Sequence, residues 1–113
     1  LNNQLILTGR DQSEAQVAVS TLRWETGTEA IHSIALDLAS FASIRELVDE
    51  FRQRVDTTDV LANNAGLQIA HGTPLTALGF EMSFGVNYPG HFLLTSLLRC
   101  FCSTMDNSLF ATR

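Results

Sequence analysis

Lysine does not occur in the sequence, and Tyr88 is the single tyrosine. All seven basic residues are arginines. Without a lysine amine, these residues carry neither Schiff-base chemistry nor the phosphate-binding lysine of a P-loop. Two cysteines, Cys100 and Cys102, are too few for a disulfide framework or a closed zinc site. We expect them to be reduced and buried.

Long apolar runs and an excess of positive charge are missing as well. No stretch reaches the roughly 18 apolar residues of a membrane helix, and no basic segment precedes an apolar one at the N-terminus. We therefore expect no membrane span and no signal peptide, and the default expectation is a cytoplasmic protein. The net charge of −5 disfavours nucleic acid as a partner. With 113 residues, 45% of them apolar, the chain is expected to form one domain, 1–113.

Apolar residues follow the strand pattern and the helix pattern in alternating segments. Short apolar runs bounded by glycine or polar residues predict strands at 4–8, 30–36 and 59–62. Apolar residues at helical spacing predict helices at 13–26 and 44–55, and a long helix at 78–105 with a break at 86–90. Strands that alternate with helices indicate an α/β fold, here a partial, doubly wound parallel sheet of three strands with flanking helices.

The predicted helices carry recognisable end signals. Asp11 or Ser13 is expected to cap the first helix, and Gly27 to end it. For the second helix, Ser40 competes with a capping box that starts at Ser43.

Polar or glycine-containing segments follow each predicted strand, at 9–11, 37–38 and 63–66. In a doubly wound sheet, ligands bind beyond the carboxyl ends of the strands. We therefore expect a nucleotide to lie along these three segments. No pair of histidines has the spacing of metal ligands, so no metal site is expected.

Four sequence segments together carry a family resemblance. Gly-Arg-Asp at 9–11, Leu-Asp-Leu-Ala-Ser at 36–40, Asn-Asn-Ala-Gly at 63–66 and Phe-Gly-Val-Asn-x-x-Gly-His-Phe-Leu-Leu-Thr at 84–95 resemble the classical short-chain dehydrogenase/reductase family. The branch they resemble has retinol-dehydrogenase-like and WW-domain-oxidoreductase-like members, and the likeness covers about residues 4–99. It implies a Rossmann-like fold and hydride transfer between a nicotinamide dinucleotide and a carbonyl or alcohol.

The resemblance also assigns the strands. Leu7-Thr8-Gly9 could start the family's glycine-rich loop, but Ser13 and Ala15 stand where that loop needs further glycines. The strand at 4–8 is therefore matched to the family's second strand. On this alignment the family's first strand, its phosphate-binding loop and its catalytic tyrosine/lysine pair are not among these residues.

Six residues are assigned to the cofactor by the resemblance. It implies that Arg10 pairs with the 2′-phosphate of NADP, which makes NADP the expected cofactor over NAD. Asp37, together with the backbone of Leu38, matches the position that contacts adenine. Asn63, Ala65 and Gly66 match the turn that lines the cofactor ribose, and Gly66 lets backbone approach a ligand closely.

Asn87 matches the family's catalytic asparagine, whose main-chain carbonyl holds a water in a proton relay. That role requires a carbonyl without a helical partner. Pro89 departs from the branch and has no N–H for the Gly85 carbonyl, so a sharper helix break is expected. For His91 the resemblance implies packing and helix contacts rather than catalysis.

Three hypotheses on function remain open at this point. The chain is a truncated piece of an NADP-dependent oxidoreductase that is inactive by itself, a non-enzymatic interaction or dimerisation module, or part of a complete, active enzyme. The resemblance implies a lipophilic carbonyl or alcohol as substrate of the complete enzyme. It also implies a homodimer through the long helix at 78–105.

Overall fold

The computed structural model describes residues 3–101 and contains two strands and four α-helices in that range. In chain order these are β1 (Leu5–Gly9), α1 (Gln12–Thr26), β2 (Ile31–Ala35), α2 (Phe41–Arg54), α3 (Met82–Gly85) and α4 (His91–Leu98). A π-helical segment, Val86–Gly90, joins α3 to α4, and a 3-10 turn, Arg99–Phe101, follows α4. The chain divides into two compact units, Leu1–Asp37 and Leu38–Arg113.

The first unit is a β-α-β arrangement. The two strands are parallel and run in register from Leu5 opposite Ile31 to Gly9 opposite Ala35. Helix α1 makes the crossover and contacts both strands, with Ala15 and Val19 as its buried residues. Parallel neighbours need such a crossover, because a tight turn reverses the chain direction.

Helix α1 begins and ends at the predicted residues. The Asp11 carboxylate accepts hydrogen bonds from the backbone N–H groups of Ser13 and Glu14, so Asp11 rather than Ser13 is the cap. Gly27 ends the helix in the left-handed conformation, with φ of 70°, which glycine adopts without steric cost.

The core of the second unit includes α2, which packs against α4. The predicted apolar stripe is buried: Ile44, Leu47, Val48 and Phe51 are each less than a tenth exposed. Ser40 is the cap, since its hydroxyl accepts from the Ser43 backbone N–H at 3.2 Å. The competing capping box at Ser43 is therefore not the one that starts the helix.

The third predicted strand is wrong as a sheet element. Residues 59–62 form no strand in the described part of the chain, which contains a two-stranded sheet. In the doubly wound strand order 3-2-1-4-5-6, the second and third strands are neighbours, whereas the fourth lies between the first and the fifth. With β1 and β2 as the second and third strands, residues 59–62 correspond to the fourth. Its two neighbours are not among the described residues, so it lacks a pairing partner.

The predicted helix break at 86–90 is confirmed and is π-helical. The π segment contains Pro89, which has no N–H for the bond to Gly85 that an α-helix would make. The predicted helix starts too early, because 76–80 forms a turn with Gly79 at φ of 83°. Residues 102–105 of that helix and the Cys102 thiol lie outside the described residues. Between residues 3 and 101, no helix has the length and apolar character needed to cross a bilayer.

Candidate functional site

In the first unit, the parallel register places the carboxyl ends of β1 and β2 side by side. The Leu36 N–H donates to the Gly9 carbonyl at 2.9 Å, so Arg10 and Asp37 leave the sheet at the same edge. Arg10 is exposed and borders an open depression between the end of β1 and the start of α1. The depression is lined by Leu7, Thr8, Gly9, Arg10, Asp11, Glu14, Ala15 and Ala18.

Asp11, beside Arg10, is engaged in capping. Its side chain accepts from the Ser13 hydroxyl and from two backbone N–H groups, and these bonds, together with the nearby Arg10 charge, lower the pKa of Asp11. One Asp11 oxygen, Oδ1, thus accepts all three hydrogen bonds. The exposed Arg10 guanidinium is the cationic group at this edge, whereas Asp11 and Glu14 bring negative charge to the same depression.

In the second unit, an extended segment at 63–69 is held by polar side chains from one helical face. The helix side contributes every fourth residue from 83 to 95, and the segment contributes every second residue from 69 back to 63. We call these four contacts the polar ladder. The pairs are Ser83 with Ile69, Asn87 with Leu67, His91 with Ala65, and Thr95 with Asn63.

The spacing of the polar ladder follows from elementary geometry. Four residues of an α-helix advance about 6 Å along its axis. Two residues of an extended chain advance about 6.6 Å. A helix and an antiparallel extended segment therefore stay in step over several contacts.

The polar ladder replaces backbone pairing along this segment. From Val60 to Thr73, the described structure contains no hydrogen bond between two backbone groups. The Asn87 side chain instead bonds both backbone groups of Leu67, accepting from its N–H at 2.8 Å and donating to its carbonyl at 2.7 Å. Ser83 accepts from the Ile69 N–H at 3.3 Å. Side chains on the helix thus form hydrogen bonds with the backbone of 63–69, as the backbone of a neighbouring strand would in a sheet.

Residues 63–66, matched to the family's turn, are the first part of the extended segment and lie at one end of the polar ladder. The Asn63 side chain is turned to the helix, where its amide nitrogen lies 3.1 Å from Thr95 Oγ1 and its oxygen 3.3 Å from His91 Nδ1. Ala65 and Gly66 are exposed. A Cβ at Gly66 would make only an ordinary contact with Asn87, so the backbone here is open to an approaching ligand.

Asn87 lies in the π segment, and its backbone differs from that of a regular helix. The His91 N–H, which an α-helix would direct to the Asn87 carbonyl, donates to the Tyr88 carbonyl. Both polar atoms of the Asn87 side chain bind Leu67. The His91 N–H, bound to Tyr88, does not serve the Asn87 main-chain carbonyl.

Leu38 has a buried side chain, 7% exposed, and its carbonyl lies against Gly90. A methyl group on Gly90 would overlap this carbonyl oxygen, so glycine is what permits the close approach of the π segment. The side chain of Leu38 is thus a core residue, and its predicted ligand contact is through the backbone.

The predicted residues fall in both units. Arg10 and Asp37 leave the sheet at the same edge in the first unit, while Asn63, Ala65, Gly66 and Asn87 are brought together in the second. Sequence reasoning missed Ser83 and Thr95 and gave His91 only a packing role. The signal was present, because polar residues recur at every fourth position from 83 to 95 of an otherwise apolar helix. Among residues 3–101, no cluster of three potential metal ligands occurs.

Comparisons with known proteins give consistent matches. The profile of the family described as short chain dehydrogenase matches residues 1–106. Retinol dehydrogenase 13 of Mus musculus is 45% identical over 83% of this chain and 28% of its own length. Polyprenol dehydrogenase of Homo sapiens is 41% identical over 87% of this chain and 29% of its own length. The chain thus spans less than a third of these relatives.

Two solved structures are similar in fold. An uncharacterised protein from Mycobacterium paratuberculosis superposes with a TM-score of 0.71 and 35% identity, covering 86% of this chain and 32% of the other. A gluconate 5-dehydrogenase from Burkholderia cenocepacia J2315, in complex with NADP and tartrate, gives a TM-score of 0.64 and 30% identity. That match covers 84% of this chain and 37% of the other.

Proposed function

The chain belongs to the short-chain dehydrogenase family, and on that premise we propose that it forms the adenosine-binding part of an NADP-dependent oxidoreductase. The family, its retinol-dehydrogenase-like branch and the Rossmann fold are as expected from the four motifs. The observation that carries the proposal is the exposed Arg10 beside Asp37, where two parallel strands end. Ligands of doubly wound sheets bind at this edge.

The choice of NADP rests on the charge of Arg10. A guanidinium binds phosphate through paired, charge-assisted hydrogen bonds, whereas the ribose hydroxyls of NAD pair best with a carboxylate. Asp11 could take the carboxylate role, but it already caps α1 with three accepted hydrogen bonds. The gluconate 5-dehydrogenase match, a complex with NADP, supports the same cofactor class.

The rest of the cofactor would meet backbone rather than side chains. Asp37 and the Leu38 main chain are assigned to the adenine, and the exposed backbone at Ala65 and Gly66 to the ribose. The bound nicotinamide supplies the hydride chemistry. Asn87 would hold a water at its main-chain carbonyl, which fits the diversion of the His91 N–H to Tyr88.

These 113 residues do not supply the proton donor that the reaction needs. Tyr88, the single tyrosine, is 66% exposed and stacks on Phe84 with ring centroids 5.6 Å apart. The sequence contains no lysine, so the tyrosine/lysine pair that the family uses as its proton donor is not among these residues. We therefore propose that the chain binds the adenosine half of the cofactor without turning it over.

For the whole protein we propose a lipophilic alcohol or carbonyl as substrate. The relatives are named retinol and polyprenol dehydrogenases, after apolar alcohols. The resemblance supports a homodimer through the helix predicted at 78–105. An aromatic stripe that begins just before α3 and continues into α4, with side chains 37–69% exposed, favours such an interface over solvent. It consists of Phe80, Phe84, Tyr88 and Phe92.

The decisive experiment titrates the purified chain with 2′-phospho-ADP-ribose and with ADP-ribose, using isothermal calorimetry. These fragments lack the nicotinamide ring of the cofactor and need neither a nicotinamide site nor a proton donor. We expect the phosphorylated fragment to bind more tightly. Equal affinities would reject NADP preference, and no binding of either fragment would favour the interaction module over a cofactor-binding role.

A further inference from the structure

We propose that His91 is a positioning residue: its Nε2–H group holds the Ala65 carbonyl and thereby fixes the backbone at the start of the extended segment, residues 63–66. Nε2 lies 2.7 Å from that carbonyl oxygen. A carbonyl oxygen only accepts hydrogen bonds, so Nε2 must carry the hydrogen. The neutral ring has one N–H, and this contact therefore selects the Nε2–H tautomer.

The other ring nitrogen continues the connection into the helix. Nδ1 lies 3.3 Å from the Asn63 side-chain oxygen, and the Asn63 nitrogen lies 3.1 Å from Thr95 Oγ1. In this orientation of the amide, a protonated ring donates to both oxygens. If the Asn63 side-chain amide is rotated by 180°, Nδ1 of a neutral His91 ring accepts from the Asn63 nitrogen. The Thr95 hydroxyl then donates to the Asn63 oxygen. In both cases Nε2 donates to Ala65.

The contact matters because few other hydrogen bonds hold residues 63–66. Residues 60–73 make no hydrogen bonds between backbone groups in the described structure, so 63–66 depends on the polar ladder. His91 binds a backbone group within 63–66, whereas Asn87 and Ser83 bind the backbone of Leu67 and Ile69. The link from His91 to the cofactor rests on the proposed function. The contact itself does not, and it can be tested without any cofactor.

The first test examines the histidine ring in the free chain. Nitrogen-15 NMR with two-bond couplings reports which ring nitrogen carries the hydrogen. We expect hydrogen on Nε2, in slow exchange with water because Ala65 holds it. An Nδ1–H tautomer, or an Nε2 hydrogen that exchanges as fast as that of the exposed His71, would overturn the proposal.

The second test uses three variants that separate the two ring nitrogens. The side-chain nitrogen of His91→Gln lies as many bonds from Cα as Nε2, whereas that of His91→Asn matches Nδ1. His91→Phe keeps a planar ring with neither nitrogen. Only the glutamine variant can donate to Ala65.

The readout is hydrogen exchange of the Leu67 and Ile69 amides, which neighbouring members of the polar ladder bind. We expect about fivefold faster exchange in the Asn and Phe variants, the effect of one lost hydrogen bond, and near-normal exchange in the Gln variant. Equal exchange in all variants, or rescue by Asn rather than Gln, would reject the role of His91.

Cofactor binding is then compared in the same set with 2′-phospho-ADP-ribose. If the Gln variant restores slow amide exchange but neither wild type nor any variant binds the fragment, the proposed function is rejected and the His91 contact is retained. If wild type and all variants bind the fragment equally strongly, ligand binding at 63–66 does not depend on His91.

Discussion

Arg10 is the residue on which the proposed preference for NADP rests. Replacing Arg10 with alanine should weaken 2′-phosphate binding about tenfold, since a charge-assisted hydrogen bond contributes about 1.5 kcal/mol at the lower end of its range. Binding of the fragment without the phosphate should change little. Calorimetry on wild type and variant measures both ligands.

The matched control for Arg10 is Arg45→Ala, an exposed arginine on α2. It removes the same charge from another part of the chain. If both variants lose the same affinity, net charge rather than a phosphate contact at Arg10 explains the preference.

Gly90 is the residue at which a single methyl group should destabilise the second unit. Its Cβ would overlap the Leu38 carbonyl, a backbone group that cannot rotate away. We expect Gly90→Ala to lower the free energy of unfolding by about 1–3 kcal/mol, as overpacking does. Urea denaturation measures this. Gly66→Ala, where the added methyl meets only Asn87 at 3.7 Å, is the control and should stay within about 1 kcal/mol of wild type.

At the scale of the element, the start of α1 makes stability depend on acid pH. Hydrogen bonds from Ser13 and the helix N-terminus hold the Asp11 pKa below its ordinary value of 3.8. The folded state therefore favours the charged form, and this stabilisation is present above pH 3.8. It is lost as the pH falls through the lower, folded-state pKa.

Asp11→Asn keeps a capping side chain but removes the titrating group. We expect thermal melts of this variant to show a smaller loss of Tm than wild type when the pH is lowered below 3.8. Glu25→Gln, on the exposed side of α1, is the control. An unchanged acid dependence in Asp11→Asn would show that its carboxylate does not contribute.

The helical region that carries the polar ladder has two neighbouring faces with different contacts. One face holds the 63–69 segment, and the other carries the exposed aromatic stripe, whose members also recur every fourth residue. The π segment at 86–90 lies between α3 and α4 and carries Asn87. The helix therefore changes from α to π geometry at Asn87, the residue to which the family resemblance assigns a catalytic role.

At the scale of the whole molecule, the aromatic stripe predicts self-association. Phe92 is 69% exposed and forms no ring stack within the described structure, so Phe92→Ser should shift sedimenting dimers or larger species toward monomer. Trp24→Ser, 87% exposed on α1, is the matched control and should leave association unchanged. A wild-type chain that sediments as a monomer at all concentrations would contradict this prediction.

The whole chain is also expected not to oxidise NADPH. The reaction needs a positioned acid with a pKa near the working pH, and Tyr88 is exposed and stacked on Phe84. Absorbance assays with aldehydes, ketones and retinoids at high protein concentration should show no turnover. Steady oxidation by pure chain, abolished in Asn87→Ala, would reveal an acid that we have not identified.

Much of the local structure could be predicted from the sequence because its causes are local. Asp11 and Gly27 end α1 through contacts within a few residues, and the stripe that starts at Ile44 gives α2 its buried face. Pro89 predicts the break in the long helix, since it lacks the N–H that an α-helix needs. The four motifs together also sufficed for the family and the Rossmann fold, which the comparisons confirm.

What the sequence alone determined, then, is the first two strands, the first two helices, the break in the long helix and the family. Tertiary structure decided which groups the residues meet. Residues 59–62 have a strand-like pattern but no pairing strand among the described residues, because pairing depends on neighbours distant in sequence. The contact between His91 and Ala65 likewise joins residues far apart in the chain. A pattern of every fourth polar residue marks a helical face, but only the folded chain shows the backbone that this face holds.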